Sequence, residues 1–224
     1  MFRRKVKTVI FGVGWIVTSP FWLVEKVSRR LVDRDVWFVT QSEILSLLPG
    51  KLGRLLRNAY YAVTLESCPY HVCLQFGCLF AYSRVRIGQN VYLGLHSKVG
   101  LVDIGDGTII SDDVQLLSGA HQHMTAESPD GTHSLSDINK NIQSDLNPER
   151  ISIGRDCWIG TRAIVMADIG DNCIIGAGAV VTRPIPSNSL AVGVPARVIR
   201  TLTRGSGSDQ TSVDAERDLA TAQF

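Results

Sequence analysis

The sequence predicts a mainly β chain, wound as a parallel β-helix behind an N-terminal helical, membrane-associated segment. Three observations carry this expectation. From residue 84 onward, aliphatic-then-small pairs return every six residues. The first 60 residues lack that beat and are apolar and basic, with 11 Lys and Arg against 4 Asp and Glu, whereas the remaining residues carry 12 against 17. The 224-residue chain is 45% hydrophobic and 20% charged with 20 glycines, ordinary globular usage that excludes wholesale disorder and a coiled coil. Its length points to one main domain with short additions.

Thr8 to Val24 is TVIFGVGWIVTSPFWLV, 17 residues without a charge between Arg3, Arg4, Lys5 and Lys7 on one side and Lys26, Arg29 and Arg30 on the other. That is the short limit for a spanning helix, and Gly12, Gly14 and Pro20 weaken it further. No small-x-small site follows the run, so removal as a signal peptide is not expected. Trp15, Phe21 and Trp22 between basic flanks suit a helix or helical hairpin lying in the interface of an anionic leaflet. A hydrophobic helix buried in an oligomer is the competing reading. In residues 41–65, Leu45, Leu48, Leu52, Leu55 and Leu56 recur at helical spacing, broken by Pro49-Gly50, with Lys51, Arg54 and Arg57 between them. This predicts two short helices forming a basic, apolar platform. Residues 1–65 are therefore taken as one membrane-associated segment, with contact through residues 1–60. A basic patch can also serve nucleic acid, but this one is mixed with leucines and carries no recognition motif, so no nucleic acid partner is expected.

The repeat defines the main domain, residues 66–203. Its pairs are Ile87-Gly88, Leu93-Gly94, Val99-Gly100, Ile104-Gly105 and Ile110-Ser111, then, after a break, Ile153-Gly154, Ile159-Gly160, Ile169-Gly170 and Ile175-Gly176. Short strands separated by turns at this period build a parallel β-helix, with each aliphatic pointing inward and its small neighbour letting the chain turn. Each coil buries its core only against the next, so several coils and capped ends are required. The beat falters twice, with five residues from Val99 to Ile104 and four from Val165 to Ile169. Residues 122–150 interrupt it with a long polar run, read as a protruding loop. Residues 204–224 are low in apolar content and are expected to form a mobile tail. Cys68, Cys73, Cys78, Cys157 and Cys173 show no CxxC spacing, which argues against a zinc knuckle or a disulfide scaffold and for reduced, mostly buried thiols.

Two stretches carry a resemblance. IGAGAVVTRPIPSNSLAVGVPARVIR (residues 175–200) and LLSGAHQH (residues 116–123) resemble the closing signature and the catalytic-histidine segment of the hexapeptide-repeat acyltransferases. The N-terminal helices followed by SLLPG resemble, more narrowly, bacterial enzymes that O-acetylate cell-surface polysaccharides. The resemblance implies a left-handed β-helix with three flat faces, a homotrimer, acetyl-CoA as donor and no metal. It also implies a glycan acceptor. The apolar, basic N-terminus, and CoA being available on the cytoplasmic side, lead to an expected place at the cytoplasmic face of the bacterial inner membrane, peripheral or monotopic.

An alcohol attacks a thioester only if a base takes its proton, and histidine titrates near neutrality. The resemblance puts His121 in that position. His123, two residues on, would share a face with it in an extended segment and could orient it or contact the acceptor. His96 lies near where relatives place an acceptor-contacting amide, and could equally be a turn histidine on the surface. Trp158 matches a position that lines the site in several relatives, or else marks a subunit contact. The resemblance lays the donor along Gly160 and Ala177, with Arg183 and, in support, Thr182 and Arg197 meeting its phosphates. His71 and His133 are read as structural or exposed. Alternatives are N-acetylation of an amino sugar nucleotide, serine acetylation, a carbonic-anhydrase-like metalloenzyme using His121 and His123 as ligands, and a non-catalytic scaffold.

Overall fold

The computed structural model describes residues 34–119 and 148–202. Helices α1 (Arg34–Ser46) and α2 (Gly50–Thr64) lead into the coils. An opening part-coil holds β1 (Cys73–Leu74) and β2 (Leu79–Phe80). The next two coils are β3 (Arg86–Ile87), β4 (Tyr92–Leu93) and β5 (Lys98–Val99), then β6 (Val102–Ile104), β7 (Ile109–Ile110) and β8 (Gln115–Leu116). After the polar interruption come β9 (Ile151–Ile153), β10 (Trp158–Ile159) and β11 (Ile164–Val165), then β12 (Ile174–Ile175) and β13 (Val180–Val181), and last β14 (Ser189–Val192) and β15 (Arg197–Thr201).

Parallel pairing between coils sorts these strands into three faces. The first holds β3, β6 and β9, the second β1, β4, β7, β10, β12 and β14, and the third β2, β5, β8, β11 and β13. β15 turns back antiparallel on β14 and closes the second face. The inward residue of each strand stacks in register on that of the coil before it, as Leu93 on Leu74 and Ile159 on Ile110. Ile87, Leu93, Val99, Ile104, Ile110, Ile153, Ile159, Ile169 and Ile175 are all buried. Each such burial stabilises the coil by roughly 1.5–3 kcal/mol. The residue after the inward position donates its amide to the next coil, as Gly94 N to Ile110 O (2.8 Å) and Gly160 N to Ile175 O (2.7 Å).

The irregularities of the repeat all fall on one corner. Between the first and second faces, and between the second and third, six residues separate successive inward side chains. A left-handed residue stands three after the inward one at both corners: Asn90, Gly107, Asp156, Asn172 and Asn188 at the first, Gly77, His96, Asp113, Arg162 and Gly178 at the second. Asn, Asp and Gly tolerate that conformation best. The third corner, from the third face back to the first, has no such rule. Val99 to Ile104 is short there, and so is Val165 to Ile169, where the first face is reduced to single bridges, Ile153 with Ile169 and Ile169 with Ile185. The interruption after Gly119 leaves from the same corner. Varied length is thus absorbed where no six-residue turn is needed.

The helices pack as a rigid lid on the opening coil. Phe38, Tyr60, Tyr61 and Phe80 form an aromatic cluster, with Tyr61 and Phe80 centroids 4.5 Å apart. Ser42 Oγ shares a 2.7 Å hydrogen bond with the Tyr61 hydroxyl and accepts one from Phe80 N at 2.9 Å. Arg57 corrects the expectation of a basic platform that includes it. It is buried, donating to Leu48 O (2.7 Å), Leu45 O (3.0 Å) and Leu74 O (3.3 Å). Its guanidinium satisfies carbonyls left open at the end of α1. Leu45 is buried likewise, whereas Leu52 is exposed. Residues 8–24 and the tail from 204 lie outside the described residues. Among the described residues, no helix is long and apolar enough to cross a membrane.

Candidate active site

His121 and His123 lie outside the described residues, but the chain that leads to them is well placed. After β8 it reaches the third corner, where Ser118 is buried and Gly119 takes φ +83°. A side chain at Gly119 would meet Glu149, because a Cβ there would stand 2.8 Å from Glu149 Cβ. Glu149 N donates to Ser118 O at 3.1 Å and Ile151 N to Leu101 O at 3.2 Å. The two ends of the interruption therefore meet on the coil, and the loop has a closed base.

The return end is also tied by charge. Arg150 pairs with Asp103 and, at 3.1 Å, with Glu66; Arg86 pairs with Glu66 at 2.6 Å and with Asp103 at 3.3 Å. These four alternating charges form a closed ring on the outside of the first face. Hydrogen bonds from Arg86, then from Arg150, hold the Glu66 carboxyl below its ordinary range, and the two acids raise Arg86 in turn. None of the four was among the residues expected for the site. Arg86 and Asp103 each precede an inward residue on the first face, so they stack outward in register, but no local pattern links them to Glu66 or Arg150.

The other expected residues divide among three places. Thr182 and Arg183 are exposed at the third corner, after β13, two coils beyond β8 along the same face. They alone of the expected donor contacts share a corner with Ser118 and Gly119, the last described residues before His121. Gly160 and Ala177 stand at the second corner. Gly160 is buried, its N–H already bonded, and a Cβ would fall 2.5 Å from Ala177 N. Its small size is explained by coil stacking, so within one chain it offers no surface to a donor, while Ala177 is exposed. Arg197 opens β15, donating to Ala196 O at 3.1 Å. His96 is a turn residue of the second corner with φ 54°. Its ring meets Phe76 edge-on at 5.5 Å, and Nδ1 faces Asp113 at 3.8 Å. Trp158 points outward from the second face between Ile109 and Ile174, donating Nε1–H to Ser111 Oγ at 3.1 Å. Neither His96 nor Trp158 is brought to the third corner within one chain.

Two grooves border these positions. One, of about 320 Å³, runs between α1 and the third face and ends at Leu117 and Ser118, three residues before His121; Glu43, Tyr82 and Lys98 supply its polar and aromatic lining. The other, of about 610 Å³, follows the first face along Gly88, Gly105, Gly154 and Gly170. The smaller one reaches the segment that leads toward His121, and its carboxylate, ammonium, hydroxyls and aromatic ring suit a polyhydroxylated ligand. Among the described residues no group of three His, Cys, Asp or Glu is arranged to hold a metal ion.

Comparison with known proteins gives concordant matches. The family model described as the hexapeptide repeat of succinyl-transferase matches residues 84–112 and 150–183. The chain is 38% identical over 207 residues to nodulation protein L of Rhizobium leguminosarum bv. viciae, covering 88% of this chain and 95% of that one. It is 36% identical over 127 residues to the galactoside O-acetyltransferase of Escherichia coli K12, 54% of this chain; the match spans 56% of that protein's length. A hexapeptide-repeat acetyltransferase from Vibrio cholerae, solved with acetyl coenzyme A, superposes with a TM-score of 0.57 over 74% of this chain and 87% of its own, at 21% identity. The shared repeat makes the coil the left-handed parallel β-helix expected from the sequence.

Proposed function

The chain belongs to the hexapeptide-repeat acyltransferases, acetyl-CoA-dependent enzymes of acyl transfer, and we propose on that premise that it O-acetylates a sugar hydroxyl of a cell-surface polysaccharide or lipid-linked glycan. The observation that carries this reading is the common corner. The segment leading to His121, the closed loop base at Gly119 and Glu149, and the exposed pair Thr182 and Arg183 all lie along one edge of the coil. The sugar-compatible groove ends at the same edge.

In this reading His121 accepts the proton of the acceptor hydroxyl as its oxygen attacks the thioester carbonyl. A new C–O bond forms, the C–S bond breaks, and the departing thiolate of CoA takes the proton back from the imidazole. Transfer is direct, with no acyl-enzyme. Arg183, supported by Thr182 and Arg197, meets the donor's phosphates, and Ala177 lies along its pantetheine arm. His123 contacts or orients the acceptor. His96 and Trp158 reach a site only from a neighbouring chain, which a homotrimer supplies. Residues 1–60 hold the enzyme at the cytoplasmic face of the membrane, where CoA and a lipid-linked acceptor meet.

Labelled acetyl-CoA offered with lipid-linked glycans, free sugars and amino sugar nucleotides tests the reading. Alkali-labile label on a glycan is expected. Alkali-stable label confined to an amino sugar nucleotide would show N-acetylation instead.

A further inference from the structure

We propose that the outer side of the α1–α2 hairpin is a docking surface for an anionic lipid bilayer. The inference rests on the membrane reading above and assigns the contact to particular side chains. Trp37 and Ile44 fall on one side of α1, opposite the buried Phe38, Ser42 and Leu45, and Leu47 follows in the turn after it; the exposures of Trp37, Ile44 and Leu47 are 37%, 49% and 70%. Leu52, just beyond the turn between the helices, is 67% exposed. Large apolar side chains grouped at that exposure mark an interaction surface.

The surface is rigidly presented. The opposite side of α1 is pinned by the aromatic cluster, by Ser42 against Tyr61 and Phe80, and by Arg57 holding the carbonyls of Leu45 and Leu48. Its charged border is basic, with Lys51 exposed beside Leu52 and Arg54 half-buried one turn on. Glu43 is the one acidic residue from 37 to 64, and it lies on the flank that lines the groove with Lys98.

Charge decides the occupant. Residues 1–33 join α1 directly and carry seven Lys and Arg against Glu25 and Asp33, around the uncharged run from Thr8 to Val24. Folding that segment back over the hairpin would set basic flanks against Lys51 and Arg54. A bilayer of anionic headgroups satisfies both sets of cations, while its acyl boundary takes Ile44, Leu47 and Leu52 and its interface takes the indole of Trp37.

Co-sedimentation of the full chain with phosphatidylcholine vesicles, and with vesicles containing a quarter phosphatidylglycerol, tests the proposal. The unaltered chain should bind the anionic vesicles, and Leu47→Glu with Leu52→Glu should weaken that binding at least tenfold. Both residues are exposed, so the thermal transition should be retained. Acetyl transfer to a soluble acceptor is measured alongside and should not change. Equal vesicle binding by the double variant would overturn the proposal, as would a change in oligomeric mass with vesicle binding intact, which would mean that a second copy covers the face. A chain that shows no acetyl transfer yet loses vesicle binding through these substitutions would refute the catalytic reading and leave the docking surface standing.

Discussion

Arg150, which resumes the coil after the long interruption, reaches back to Glu66 at 3.1 Å, at the exit of the helical lid. With Arg86 and Asp103 it joins the end of the loop to the start of the β-helix across 84 residues of sequence. The lid, the first face and the loop base are thereby held as one unit. The contacts are largely exposed, so their worth lies in position more than in stability.

The pairing makes a signed pH prediction. Glu66 is held below its ordinary value of 4.5, chiefly by Arg86. A depressed carboxylate contributes stability that is complete above its unfolded pKa and is lost as pH falls through its lower folded pKa. Glu66→Gln should therefore lower the melting temperature at pH 7, and the difference from the unaltered protein should vanish well below pH 4.5. A difference that grows on acidification would contradict the pairing.

Arg57→Met should be among the most destabilising single changes in the lid. It strands the carbonyls of Leu48 and Leu74, each costing roughly 1–3 kcal/mol when buried without a donor, while Leu45 O keeps only its 3.3 Å bond from Leu48 N. Chemical denaturation should register a loss of about 3 kcal/mol or more, and Arg57→Lys should recover only part of it, because one ammonium cannot reproduce the fork. A loss under about 1 kcal/mol would mean that the carbonyls find water.

The thiols should differ in reactivity. All five cysteines are free, and Cys73 is the one that is not buried. Burial pushes Cys68 and Cys78 up to about 12, which removes the thiolate that reacts. A maleimide added to the native protein should label Cys73 first, with the other four following only on unfolding. Rapid labelling of Cys78 in the native state would show that the lid opens.

Arg183→Ala should raise the KM for acetyl-CoA by roughly five- to thirty-fold, the worth of about 1–2 kcal/mol from a charge-assisted phosphate contact, with kcat nearly kept. The same substitution should barely affect dephospho-CoA derivatives if the contact is to the 3′-phosphate. An unchanged KM would remove Arg183 from the donor site.

Much of this architecture is legible in the amino-acid sequence, for a physical reason. The β-helix repeats one local solution, so each Ile-Gly pair states its own inward position. The opening part-coil is not legible, because Leu74 is followed by the long Gln75 and the next inward residue, Phe80, is aromatic rather than aliphatic. The short steps at Ile104 and Ile169 are visible as irregularities, but that both fall on one corner needs the register of the strands. Arg57 reads as a surface cation because helical spacing cannot show that carbonyls await it inside. The ring of Glu66, Arg86, Asp103 and Arg150 joins positions too distant in sequence for any local pattern to link. The division of the expected donor contacts between the second and third corners is equally invisible, since the strand of motif that carries them crosses a whole face.

The proposed role of His121 as the base of a direct acetyl transfer is decided by turnover and acetyl-CoA affinity measured together on His121→Ala. Turnover should fall on the order of 10² to 10⁴-fold, the usual worth of a general base, while donor affinity should stay within a few-fold because the proposed donor contacts, Arg183 among them, are other residues. Near-normal turnover in His121→Ala would contradict the account.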